Sequence, residues 1–308
     1  MKSVGKWLAA VAAAVVLAGC GSGVTQPVAG GDGDGRPTVV TSVYPLYEFA
    51  RAVGGDQAEV VNLIPPGTEP HDWEPSPGDI RRLNEARVFI YNGAGLEHWV
   101  SRTLSSLDNP DLVVVEASRG LDLIQGDDEH QWDPHVWLDP LTAVRLVEAI
   151  RDGLIQADPA HEEVYRANAD QYIARLKDLH QEFEQGLAAC RLRDFFTTHA
   201  AFGYLARRYG LTQHAIMGLS PEAEPAPRDV AQAVAEARQL GIRYVFYETM
   251  TGDQAASMLA REIGAGTLEL NPFEGLTDEQ IAAGEDYFSI MRANLAGLRQ
   301  ALECGESR

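Results

Sequence analysis

Positive charge is what this sequence has least of. Its 308 residues carry 25 Lys and Arg against 45 Asp and Glu, a formal charge of −20, and losing a leader with the two cations Lys2 and Lys6 leaves −22. Such a surface repels nucleic acid and draws cations, although charge alone says nothing about fold. Long apolar runs are missing too: residues 7–18 form a stretch too short to span a bilayer. No His-Glu-x-x-His occurs, which weakens the case for a zinc hydrolase. Cysteine is limited to Cys20, Cys190 and Cys304. What is present is bulk, with length for two ordinary domains or one large one and a hydrophobic content of 45% that can supply real cores.

Residues 1–19 read as a signal peptide, with Lys2 and Lys6 as its positive start and residues 7–18 as its apolar middle. The segment Leu17-Ala18-Gly19-Cys20 resembles a bacterial lipobox, in which Cys20 becomes the lipid-modified first residue of the mature protein. An ordinary secretory signal with a chance cysteine is the alternative. Residues 20–36, rich in Gly, have the composition of a flexible tether for an anchored domain. Two or three acyl chains would make the attachment stable. The expected address is therefore extracytoplasmic, on the outer face of a bacterial membrane, tied but not embedded. In that oxidising compartment an unpaired thiol is a liability, so Cys190 and Cys304 are expected to form a disulfide. Two buried free thiols are the other possibility.

From residue 37 onward, short β-branched runs alternate with helical patterns, the signature of α/β layering on mostly parallel sheets. Residues 37–43, 58–64, 87–91 and 112–116 read as strands, with helices over 45–53, 76–86 and 99–107 between them. Asp139-Pro140 opens a helix to about residue 157, and Asp158-Pro159 opens a longer one over about 160–189. Its apolar residues Tyr165, Ala169, Tyr172, Leu176, Leu179, Phe183 and Leu187 keep a three-or-four spacing that buries one stripe. The alternation then restarts with strands at 194–198, 213–217, 244–247 and 267–270, helices at 202–209, 228–240 and 253–263, and a last helix over about 283–302. The expected plan is an N-terminal lobe over 37–157, a rigid connecting helix over 158–190 and a C-terminal lobe over 191–308, facing each other across a cleft.

Three histidines hold comparable places in this layout. His71 lies in a proline-rich loop after the second strand, His135 in the loop before the 140–157 helix, and His199 directly after the 194–198 strand. Ligands of α/β sheets gather beyond the carboxyl ends of strands, so these positions can converge. Glu274 follows another strand, and Glu248 is a competing carboxylate. Neutral imidazoles with one carboxylate favour zinc over hard cations.

The motifs around these residues resemble the solute-binding proteins of zinc and manganese ABC transporters. The resemblance runs in order through Tyr44-Pro45, Ile64-Pro65-Pro66-Gly67, Pro70-His71-Asp72-Trp73-Glu74-Pro75 and Asp133-Pro134-His135-Val136-Trp137-Leu138-Asp139-Pro140. It continues through Thr198-His199-Ala200-Ala201-Phe202-Gly203-Tyr204, residues 218–225 and Asn271-Pro272-Phe273-Glu274-Gly275-Leu276-Thr277. It implies that His71, His135 and His199 are metal ligands and that Glu274 is the fourth. Glu248 or water remains open at that fourth position. Manganese-type members commonly place a carboxylate where His199 stands, so zinc is favoured over manganese. The long His-rich loop of many zinc-type relatives shrinks here to Asp127-Asp128-Glu129-His130. The function implied is a monomeric, lipid-anchored receptor that hands Zn²⁺ to a membrane permease and transforms no substrate. A secreted zinc-dependent hydrolase is the rival from another class, and the surface anchor alone would also suit an adhesin.

Overall fold

The computed structural model describes residues 35–127, 130–221, 227–250 and 252–305. The signal segment, Cys20, the tether up to residue 34, Asp128 and Glu129 lie outside them.

Two parallel sheets carry the molecule. The first joins β1 (Thr38–Thr41), β2 (Glu59–Asn62), β3 (Val88–Tyr91) and β4 (Val113–Glu116), and the second joins β5 (Asp194–Thr197), β6 (Thr212–Ala215), β7 (Tyr244–Tyr247) and β8 (Gly266–Glu269). Their strand orders, β2-β1-β3-β4 and β6-β5-β7-β8, are the same topology used twice. The central strands are apolar on both faces because helices cover both: Val39, Val40, Val88, Phe89 and Ile90 are all fully buried. Each strand is no longer than the run that announces it, and β6 and β8 begin one residue earlier than expected, at Thr212 and Gly266.

The first half carries α1 (Tyr44–Gly54), α2 (Pro77–Glu85), α3 (Val100–Ser106) and α4 (Pro140–Ala157). Ser76 caps α2 in a reciprocal capping box with Asp79, and proline follows at the first helical position. Asp139 caps α4 by accepting from the Leu141 amide. The long helix, α5 (Glu162–Leu187), begins two residues later than its sequence pattern suggests, because Pro159–His161 form a 3₁₀ turn first. Its buried stripe contains Tyr165, Ala169, Tyr172, Leu176, Leu179, Phe183 and Leu187.

The second half adds α6 (Gly203–Tyr209), α7 (Pro227–Leu240), α8 (Gln254–Ile263), α9 (Asp278–Ala283) and α10 (Tyr287–Ala301). The helix expected over 283–302 is α10, which starts four residues later than expected, and the short α9 before it was not anticipated. Gly284, at φ 75°, stops α9 in the left-handed conformation, and Asp286 restarts the chain with a capping box to Ser289. Helix α5 packs against α4 and α1 on one side and α10 on the other, so one core runs through both halves. Cys190, just past α5, is disulfide-bonded to Cys304, just past α10.

Candidate metal centre

Each donor of the site sits on a loop that other groups hold in place. In the loop after β2, the amide of His71 donates to the Glu69 carboxylate at 3.2 Å. Trp73 anchors the same loop by packing edge-on against buried Trp99. His135 is fully buried ahead of α4, and the indole of neighbouring Trp137 donates to the Pro272 carbonyl at 2.7 Å. His199 follows β5, and its carbonyl accepts from Thr197 Oγ1 and Gln213 Nε2.

Glu274 lies past β8 next to Phe273, a buried residue in the left-handed region at φ 58°. That conformation costs a β-carbon-bearing residue roughly 1–3 kcal/mol and persists only where the surroundings enforce it. Here they do: Asn271 Oδ1 accepts the Phe273 amide at 2.7 Å, and Asn294 of α10 brackets both backbone groups of Asn271. The strained turn aims Glu274 inward.

The four side chains meet. Glu274 Oε1 lies 3.3 Å from His71 Nε2, 2.8 Å from His135 Nε2 and 3.7 Å from His199 Nε2. One donor atom from each of the four falls within 4.8 Å of all the others. His71 is 7% exposed, Glu274 3%, and the other two histidines are fully enclosed. The donors come from two loops of each sheet, all beyond strand carboxyl ends, as expected for open α/β sheets.

Two further carboxylates stand behind the rings. His135 Nδ1 is 2.8 Å from Asp133 Oδ1, and His199 Nδ1 is 2.5 Å from Glu248 Oε2. The hydrogen-bonded Asp133 fixes the tautomer of His135 with its proton on Nδ1 and leaves Nε2 for the centre of the site, while Glu248 faces the Nδ1 side of His199 as an ion-pair neighbour. Glu248 is thus turned away from the fourth-ligand position and toward the far nitrogen of His199. Asp133 went unread in the sequence, although its place two residues before His135 is a usable signal. At Gly203 a β-carbon would come within 2.7 Å of Asp133 Oδ2, so a larger residue there would displace that carboxylate.

The charges are tightly linked. Burial disfavours the anion of Glu274, yet hydrogen bonds from His135, His199 and His71 outweigh it and hold its carboxyl well below the usual range. Burial likewise opposes the cation of His135, but Asp133 and Glu274 override it and raise the ring from 6.5 to about 9. His199 is raised in the same way by Glu248 and Glu274. Burial prevails at His71 and lowers it. Glu69 is pushed up to about 8 by burial and then by Glu274.

Three imidazole nitrogens and one carboxylate oxygen form a complete tetrahedral donor set for a borderline cation. Such a set leaves no open position for an activated water. The remaining described histidines pair elsewhere: His98 with Glu74, His161 with Asp158, His180 with Tyr209, and His214 with Asp194. His130 bonds Asp127 and has its ring 6.4 Å from that of His71.

Known proteins share this fold and these motifs. The model of the family described as zinc-uptake complex component A, periplasmic (ZnuA), matches residues 39–301. The zinc-binding lipoprotein AdcA of Streptococcus pneumoniae is 39% identical over 283 residues, which are 88% of this chain and 56% of AdcA. The chain thus spans little more than half of that relative. The high-affinity zinc uptake system protein ZnuA of Bacillus subtilis is 38% identical over 313 residues, covering 96% of this chain and 98% of its own length. Among solved structures, the Zn(II)-bound ZnuA-like domain of Streptococcus pneumoniae AdcA matches with a TM-score of 0.79 at 40% identity, over 87% of this chain and 99% of that one. The laminin-binding protein Lmb of Streptococcus agalactiae, described as both adhesin and metal transporter, matches with the same TM-score at 32% identity, over 87% and 99%. Likeness of this extent, in sequence and in backbone, comes from common descent, and the chain belongs to the zinc-uptake complex component A family, whose members are binding components rather than enzymes.

Proposed function

We propose that this chain is the extracytoplasmic solute-binding lipoprotein of an ABC transporter, capturing Zn²⁺ between its two sheets and delivering it to a membrane permease. The observation that carries the reading is the convergence of His71, His135, His199 and Glu274 within 4.8 Å. The zinc ion is cargo, exchanging its water shell for three imidazoles and one carboxylate. Replacing His199 by a carboxylate would harden the site toward manganese, and the histidine here argues for zinc. The closed donor set argues against the hydrolase alternative.

In this reading residues 1–19 are the leader, Cys20 carries the lipid, and residues 20–36 let the protein reach its permease. Residues 37–157 and 191–308 form the two lobes around the connecting helix at 158–190, and the protein works as a monomer. Relatives named lipoproteins support the anchor. No helix among the described residues is long and apolar enough to cross a membrane.

Elemental analysis of protein purified without added metal, followed by calorimetric titration with Zn²⁺ and Mn²⁺, tests the proposal. One zinc per chain is expected, with binding lost in His135→Ala. A preference for Mn²⁺, or unchanged zinc affinity in His135→Ala, would refute it.

A further inference from the structure

One buried carboxyl oxygen near the site has no hydrogen-bond partner among the described residues. Glu69 Oε1 accepts the His71 amide at 3.2 Å, but Glu69 Oε2 is buried with no hydrogen bond among the described residues. An enclosed carboxylate oxygen without a donor is unfavourable unless a cation meets it. Among the described residues no Lys or Arg is paired with Glu69.

The geometry says where that cation would be met. Glu69 Oε1 is 3.9 Å from His71 Nε2, and Glu274 Oε1 is 3.3 Å from the same nitrogen. Donor atoms each about 2.0–2.2 Å from one ion stand about 3–4 Å apart, so His71 can share an ion with either carboxylate. Glu69 stands outside the four donors that lie within 4.8 Å of one another. Its side chain is 18% exposed, and His71 is the least buried of the four. Glu69 therefore flanks the site on its more open side, with His71 as the shared donor between an outer and an inner carboxylate.

Building on the zinc-binding reading above, we propose that Glu69 is a transfer ligand, taking the incoming cation in exchange for a water, passing it to His71 and Glu274, and receiving it again on release. A transfer ligand lowers the barrier in both directions and leaves the equilibrium nearly alone. This separates it from a resident ligand, whose loss weakens binding, and from general attraction by the acidic surface.

The test is stopped-flow capture of Zn²⁺ by the full chain, and its release to a chelator, in E69Q, E69D and D72N. E69Q is expected to slow capture and release together by about tenfold, with the dissociation constant within about threefold of wild type. E69D should keep near-wild-type rates, and D72N, which removes an exposed neighbouring charge, should change them less than about twofold. Unchanged rates in E69Q, equal slowing in D72N, or a large loss of equilibrium affinity in E69Q would each overturn the transfer role. Absence of zinc binding in the wild-type chain would instead overturn the functional reading beneath it.

Discussion

Asp133 and Glu248 face away from the Nε2 atoms, yet they determine what those atoms can do. A carboxylate on Nδ1 holds the ring's orientation and tautomer and makes the opposite nitrogen a better donor. Asp133→Asn keeps the shape and removes the charge, so zinc affinity should fall about 10- to 100-fold with the fold intact. The same change alters proton traffic. With Asp133 present, His135 titrates at about 9, so at neutral pH the empty site holds a proton that zinc must expel, and affinity falls as pH drops below that value. For the empty protein the sign is that of a raised histidine. Its contribution to stability is complete below 6.5 and disappears as pH rises through about 9. Calorimetry in buffers of different ionisation heat should therefore show fewer protons released by Asp133→Asn; equal release and equal affinity would refute the orienting role. His71, His135, His199 and Glu274 were legible because each sits in a stiff motif at a strand end. The part played by Glu248 was not, because a sequence places a carboxylate at a strand end without saying which way its side chain turns.

Helix α10 begins against a carboxylate from the other half of the molecule. Glu48 of α1 accepts the Tyr287 amide with both oxygens at 3.0 Å, and the Tyr172 hydroxyl of α5 at 2.8 Å. The N-terminal amides and dipole of α10 favour that negative charge. Burial still dominates and raises Glu48 from 4.5 to about 7, with Asp286 adding to the rise and Arg175 opposing it. Tyr44 and Arg51 of α1 also lie close. An acid raised on folding gives stability that is complete below about 4.5 and lost as pH climbs through about 7. The difference amounts to about 3 kcal/mol. In thermal unfolding at pH 5.5 and pH 8, Glu48→Gln should shrink the stability difference seen in wild type; an undiminished difference would show that Glu48 does not control it. Helix α10 itself was only partly legible. The apolar pattern marked its length, but the break at Gly284 and the short α9 before it depend on capping geometry that periodicity does not carry. The central strands β1 and β3 read well because apolar runs buried on both faces leave little choice, whereas the half-exposed edge strand β6 is offset from its expected position.

At the scale of the molecule, the two halves are tied at many points besides the site. Arg208 of α6 holds Asp139 of α4's cap through Nε at 3.0 Å to both oxygens and Nη2 at 2.7 Å. The Tyr204 hydroxyl donates to the Asp133 carbonyl at 2.9 Å, and the Tyr287 hydroxyl to the Trp137 carbonyl at 2.5 Å. None of these pairs was visible in the sequence, because each joins residues from opposite halves whose meeting depends on how the sheets dock. Their consequence is mechanical. With a shared core along α5 and polar ties on either side of the donors, zinc binding has little freedom to swing one half against the other, in contrast to receptors that close about a flexible hinge. Solution scattering should show a radius of gyration that changes by less than about 1 Å on zinc addition. Arg208→Ala leaves Asp139, whose side chain is 3% exposed, without its cation. Because Arg208 is itself partly exposed, the loss should be about 1–3 kcal/mol, below that for a fully buried pair. Loosening the tie should also make the zinc-dependent contraction larger than in wild type. A large contraction in the wild-type chain, or none of these changes in Arg208→Ala, would mean that the halves are positioned by the cation and not by the interface between them.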